Sequence, residues 1–164
     1  MFSLIPNKIY DSICDLTPDV LHSLGVRTLF MDFDNTIVPY TCDIPTPQVE
    51  AWFASMKEAN ITLCVVSNTK RGRALRFCVE KGILCVTHSQ KPFSKGIRRA
   101  MELCHATEET TALVGDQIYT DILGANNADI TSILIKPLHL HNIWLKLRHV
   151  AELPWIFIGK RRRS

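Results

Sequence analysis

Leu29-Phe30-Met31-Asp32-Phe33-Asp34-Asn35-Thr36-Ile37-Val38-Pro39-Tyr40 is the stretch from which the rest of the chain can be read. Leu29 to Met31 is apolar without alternation, as at the end of a strand buried on both faces. Residues two apart on a strand share a face, so Asp32 and Asp34 project together beyond the strand's carboxyl end. Two neighbouring carboxylates repel unless a cation lies between them. A buried strand ending this way asks for a hard divalent ion such as Mg²⁺. On Asp-x-Asp alone, an acidic turn with a helix cap fits as well.

The rest of the chain narrows the choice. At 164 residues it is long enough for one domain with its own core. Hydrophobic residues make up 46% and charged residues 21%, ordinary for a globular protein. The six cysteines form no Cys-x-x-Cys pair. That argues against a zinc site or a disulfide framework and fits a reducing, cytoplasmic setting. No apolar run reaches the ~20 residues of a membrane span. The net charge is +3, but Lys160 to Arg163 supply four positive charges, and the chain without them carries −1. A near-neutral body with a basic end does not suit nucleic acid as a partner.

Periodicity places the elements. Ile9, Ile13 and Leu16 fall on one face of a helix over 7–16, and Thr17-Pro18 opens a second short helix closed by Gly25. Residues 1–25 thus form an N-terminal helical segment packed on the core. Strands follow at 26–31, 61–66, 83–86, 112–114 and 130–135. Between them lie helices opened by Thr46-Pro47, by Arg71 (Leu75, Cys78 and Val79 inward), by a capping Ser94 and by Tyr119. The alternation predicts an α/β fold, a Rossmann-like parallel sheet of about five strands with helices on both faces. This core spans 26–150 and ends with a helix over 142–150. Residues 151–164 read as a short apolar segment and an unstructured basic tail.

Polar groups recur where strands end: Asp32 with Asp34, then Ser67-Asn68, then Lys91, then Gly115-Asp116. Open α/β sheets bind ligands at that edge. Taken singly, each has an ordinary explanation: Ser67 can cap a turn, Lys91 can be a solvated loop lysine, and Asp121 can serve a helix start. Lys70, Arg71 and Arg73 read as a solvated helix start. His139-x-His141 finds no further ligand to complete a metal site.

The order of these groups resembles the four motifs of the haloacid dehalogenase superfamily of phosphotransferases. Asp32-Phe33-Asp34-Asn35-Thr36, with Val38-Pro39 and Gly115-Asp116-Gln117-x-x-Thr120-Asp121, is similar to its YqeG-type branch (subfamily IIIA), which includes phosphatidylglycerophosphatases. The resemblance implies Asp32 as nucleophile, forming an aspartyl-phosphate, and Asp34 as acid and then base. Ser67, Asn68 and Lys91 would bind the phosphate, with Lys91 also counted among the catalytic groups. Mg²⁺ would be held by Asp32, the Asp34 backbone carbonyl and Asp116, with Thr36 and Asp121 supporting.

Cap domains of the superfamily are inserted after the first motif or between the second and third. Only 38–59 and 70–89 lie there, so no large cap is expected. The open site suits a bulky phosphorylated partner, such as phosphatidylglycerophosphate at a membrane surface. A phosphatase of soluble sugar phosphates, nucleotides or phosphoprotein, and a non-enzymatic binding protein on the same fold, remain the alternatives.

Overall fold

The computed structural model describes residues 3–69, 72–139 and 143–161. Its elements are β1 (Lys8–Ile9), α1 (Pro18–Ser23), β2 (Thr28–Met31), α2 (Pro47–Glu58), β3 (Thr62–Val66), α3 (Arg73–Lys81), β4 (Leu84–Val86), α4 (Lys95–Cys104), β5 (Thr111–Gly115), α5 (Leu123–Asn127), β6 (Thr131–Leu134) and α6 (Ile143–Arg161). A 3₁₀ turn covers Ile13–Asp15 and a π-helical turn Ile118–Ile122. The strands form one sheet in the order β1-β6-β5-β2-β3-β4, and every pairing is parallel.

β2 lies at the centre with all four residues buried. Its side chains alternate between two cores. Leu29 and Met31 join Leu21, Val49, Trp52, Met56 and Phe77 on the face covered by α1, α2 and α3. Phe30 joins Ile97, Ala100, Met101 and Ala125 on the face covered by α4 and α5. Burial on both faces explains the unbroken apolar run. The chain leaves β2 for β3 on one side, while β5 and β6 lie on the other. The topological switch point, where such sheets bind ligands, therefore falls between β2 and β5.

Several expectations need correction. The described residues form six strands, one more than the five read from the pattern, because Lys8–Ile9 pairs with Ile133–Leu134 at the edge of the sheet. The helix read over 7–16 is therefore a strand followed by a 3₁₀ turn. Strand and helix periods both bury Ile9 and Ile13, and the choice is made by Asn7. Its amide donates to Ser132 Oγ, and its Oδ1 accepts from the Ser132 amide and hydroxyl at 2.8 Å each. In α3 the inward residues are Ala74, Phe77 and Cys78, whereas Leu75 and Val79 are exposed. Ser94 precedes α4 without a side-chain capping bond. The helix expected from Tyr119 begins instead as the π turn.

α6 runs unbroken through Pro154, across the boundary expected at 150, and includes the backbone of Lys160 and Arg161. Residues 162–164 lie outside the described residues. α6 docks on a third cluster of Ile9, Ile118, Ile122 and Leu134 through Trp155 and Ile156. Gly159 sits where a Cβ would come 3.0 Å from Pro6.

Asn7→Ala should cost about 1–3 kcal/mol, because it leaves the fully buried Ser132 hydroxyl and amide short of a partner. Urea unfolding monitored by circular dichroism measures this. A loss under about 0.5 kcal/mol would show that β1 does not depend on this lock.

Candidate active site

The register of β2 on β5 sets the site. Met31 lies opposite Val114, and the Asp32 amide donates to Val114 O at 2.9 Å, so Asp32 emerges beside Gly115-Asp116. Beyond it the chain turns sharply. Asn35 takes φ 65°, a left-handed conformation that Asn tolerates, and its amide donates to Val38 O at 2.7 Å. The Asn35 side chain is fully buried. Its Nδ2 donates to His139 O at 2.6 Å and its Oδ1 accepts from the His139 amide at 3.2 Å. Asn35 thereby ties the loop after β2 to the segment after β6, a role the sequence alone did not suggest. His139 meets the site through its backbone, and His141 lies outside the described residues.

Asp32 and Asp34 both line one cleft, but they meet different cations. Asp32 faces Lys91, whose Nζ donates to its Oδ1 at 2.7 Å. Asp34 faces Arg73, whose Nη1 donates to its Oδ1 at 2.8 Å. Each carboxylate has its own cation. Arg73 is therefore not the solvated helix start expected of it; Lys70 and Arg71 lie outside the described residues.

Lys91 is 4% exposed and reaches the centre from the loop after β4, on the amino side of the cis peptide Lys91-Pro92. Asn68 braces that loop. Its Oδ1 accepts from Ser89 Oγ at 2.8 Å and the Lys91 amide at 2.7 Å, and its Nδ2 donates to Lys91 O at 2.8 Å. The Asn68 side chain, expected at the phosphate, thus spends its bonds on the lysine loop. Gly96 lets α4 close on the same loop, since a Cβ there would lie 2.1 Å from Ser89 O. Ser67 is buried at the end of β3, with its Oγ accepting from the Thr69 amide at 3.2 Å. Thr36 is fully buried, and its hydroxyl has no hydrogen-bond partner among the described residues.

Asp121 lies at the heart of the cluster. It is 1% exposed, and Lys91 Nζ makes a second ion pair with its Oδ1 at 2.7 Å. Its Oδ2 accepts from the Gln117 amide at 3.1 Å. The π turn carries it inward, and such turns recur at functional sites. Gly115 makes room: a Cβ there would stand 2.3 Å from the Asp121 carboxylate. Asp32, Asp116 and Asp121 each offer a carboxylate oxygen within 4.8 Å of the others. Three carboxyl groups and one ammonium give the buried place a formal charge of −2 when all are ionised. All-oxygen donors at this spacing, with that charge, fit a divalent cation. The donor set differs from the expected one in placing Asp121 among the candidate ligands.

Burial pushes the Asp32 carboxyl up to about 7; Lys91 opposes the rise, while Asp121 and Asp34 add to it. For Lys91, burial works against the charged form, but Asp121 and Asp32 outweigh it and hold the ammonium above its usual range.

The cleft holds about 300 Å³ and is lined by Asp32, Asp34, Tyr40, Ser67, Lys91 and Gln117 among others. A larger cavity of about 640 Å³ lies at the amino ends of β5 and β6. It is lined by Glu108, Glu109 and Asp129 with Lys8, which makes it a poor seat for phosphate.

Comparison with known proteins fits this geometry. The HAD-hydrolase-like family model matches residues 89–137, which hold Lys91, Asp116 and Asp121. The chain is 32% identical over 133 residues to Probable phosphatase YqeG of Bacillus subtilis (strain 168), covering 81% of this chain and 77% of that protein. The chain belongs to the haloacid dehalogenase superfamily, as a phosphatase of the YqeG type. Two solved structures share the fold. An uncharacterized protein from Listeria monocytogenes serotype 4b superposes with a TM-score of 0.58 at 17% identity, over 72% of this chain and 84% of its own. The cobalt-bound deoxy-D-mannose-octulosonate 8-phosphate phosphatase (YrbI) of Haemophilus influenzae gives 0.55 at 18%, over 76% and 75%. A large cap is absent among the described residues: α2 alone separates β2 from β3.

A pH dependence follows from the raised Asp32. Its unfolded-state value lies near 3.8. The folded, metal-free protein therefore holds a proton that the unfolded chain has lost, and stability falls as pH rises from about 4 through 7. A divalent ion must displace that proton below pH 7 and meets a carboxylate above it. The gain in Tm from millimolar MgCl₂, MnCl₂ or CoCl₂ should be larger at pH 8 than at pH 5.5, read by thermal melting. The same gain at both pH values, or none at either, would contradict the assignment.

Proposed function

We propose that the phosphatase is a Mg²⁺-dependent phosphomonoester hydrolase that works through an aspartyl-phosphate on Asp32. The observation that supports it best is the Asp32 carboxylate, held by Lys91 at the mouth of an uncapped cleft beside two further acids. Asp32 Oδ attacks phosphorus, the bond to the leaving oxygen breaks, and Asp34, entering the step as the carboxylic acid with its proton on the oxygen Arg73 does not hold, gives the leaving oxygen that proton. Asp34 then takes a proton from the water that attacks the acyl phosphate, freeing Asp32 and inorganic phosphate. Ser67 and nearby backbone amides would hold phosphoryl oxygens. Lys91 has three N–H donors. Two face Asp32 and Asp121, and the third would meet the phosphoryl group. The ion, held by Asp32, the Asp34 backbone carbonyl, Asp116 and Asp121, would supply positive charge against the repulsion between phosphate and carboxylate.

The substrate reading is a phosphomonoester on a lipid headgroup, phosphatidylglycerophosphate being the form implied by the resemblance in sequence. The uncapped cleft supports it. So does α6, on which Val150, Leu153 and Phe157 are exposed at spacings of three and four, one stripe of a helix. The basic run Lys160–Arg163 follows. An apolar stripe beside clustered cations suits an anionic membrane surface, to which each cation adds about 1 kcal/mol. No helix among the described residues is long and apolar enough to cross a membrane.

Asp32→Asn should abolish Mg²⁺-dependent phosphate release while the circular dichroism spectrum stays unchanged, and beryllofluoride with Mg²⁺ should raise the Tm of the unsubstituted protein only. Substantial turnover by the Asn variant would remove Asp32 from the reaction.

Replacing Lys160, Arg161, Arg162 and Arg163 with Gln should weaken sedimentation with phosphatidylglycerol vesicles at low salt at least tenfold. It should slow hydrolysis of vesicle-borne phosphatidylglycerophosphate and leave p-nitrophenyl phosphate hydrolysis unchanged. Equal vesicle binding would end the membrane reading; faster turnover of soluble sugar phosphates than of the lipid would favour a soluble substrate.

A further inference from the structure

We propose that Arg73 is a positioning residue for the acid–base step: it fixes the Asp34 carboxylate and the loop after it as one unit. The proposal rests on the reading of Asp34 as the acid–base group. Arg73 makes four side-chain contacts within this unit. Nη1 donates to Asp34 Oδ1 at 2.8 Å and Nε to Asp43 Oδ1 at 2.6 Å. Nη2 donates to the carbonyls of Pro39 at 3.2 Å and Cys42 at 3.4 Å. The guanidinium also lies 5.5 Å from the ring centroid of Phe33, which packs edge-on against Phe77 of the same helix at 5.3 Å.

Three features separate this from an ordinary surface ion pair. The Arg73 and Asp34 side chains are each 17% exposed, so the bond is shielded from the screening that makes exposed pairs weak. Arg73 opens α3, whose first turn holds no acid and whose N-cap is Gly72 without a side-chain bond. A cation at a helix start opposes the helix dipole, so helix stability does not explain its place. Asp34 lines the cleft and Arg73 does not. The guanidinium therefore approaches the carboxylate from behind and is spent on it, not on phosphate. Only a planar fork reaches Asp34, Asp43 and two carbonyls together, and an ammonium cannot. Arg73 holds Oδ1, so the proton that goes to the leaving oxygen is carried by Oδ2 of the carboxylic acid form; that group must lie within hydrogen-bond reach, and a shift of about 1 Å costs on the order of 100-fold.

The test uses leaving-group dependence, because kcat/KM reports steps only up to formation of the phosphoenzyme. Arg73→Ala should lower kcat/KM for glycerol 3-phosphate, whose alkoxide needs a proton, by about 10- to 100-fold. For p-nitrophenyl phosphate, whose leaving group needs little help, the fall should stay within about threefold. Inhibition by inorganic phosphate should not change, and Arg73→Lys should restore part of the loss. Asp43→Asn, which removes one arm of the clamp and keeps Arg73 and Asp34, should give the same pattern more weakly; it carries the test if the Ala variant does not fold. An equal fall on both substrates would make Arg73 merely structural, and weaker phosphate inhibition would make it a phosphate ligand. Either overturns the proposal, as does no change. Asp34→Asn is measured alongside. If it lacks the leaving-group pattern, the acid–base reading itself fails; if it shows the pattern and Arg73→Ala does not, only the present proposal fails.

Discussion

The Lys91 ammonium, buried between Asp32 and Asp121, is the interaction on which the rest of the site depends. A buried lysine with no partner would give up its proton, and buried carboxylates with no cation would keep theirs. The pairing favours the charged form of each partner, against the burial that pushes Asp32 upward. Removing one member of such a cluster strands the others. Much of the local chain serves to deliver that ammonium: Asn68 holds the lysine loop through three bonds, and Gly96 lets α4 press against it.

Charge is sorted rather than pooled. Asp32 meets Lys91 and Asp34 meets Arg73, so two acids two residues apart on one cleft have different partners. Such separation is how one site can hold a carboxylate for attack and another for proton transfer. The fold makes it affordable by placing β2 beside β5 at the switch point, where neither loop must cross the sheet.

Much of this was legible in the sequence, for identifiable reasons. The doubly buried run at Leu29–Met31 and the regular alternation of strands and helices gave the parallel sheet. The polar groups at strand ends gave Asp32, Ser67, Lys91 and Asp116. What escaped depended on long-range contacts. β1 is two residues long, and its identity rests on Asn7 meeting Ser132, 125 positions away. Arg73 looked like any cation at a helix start, because its partners lie 30 and 39 positions earlier. Asp121 was expected only as a supporting residue, because the π turn that swings it in among Asp32 and Asp116 leaves no local signature. Gly115 was a usable hint, as a residue needed where a carboxylate packs against the strand end.

The bond between Glu152 and the backbone of Ile118 gives α6 a second meaning. Glu152 is 2% exposed, and its Oε1 accepts from the Ile118 amide at 3.0 Å, at the first residue of the turn that carries Asp121. Tyr119 of the same turn donates to Ala151 O at 3.3 Å. The helix that offers an apolar stripe outward is thus fastened, on its inner side, to the segment that carries Asp121. Asp121 therefore owes its position to the carboxyl-terminal helix as well as to the strand it follows.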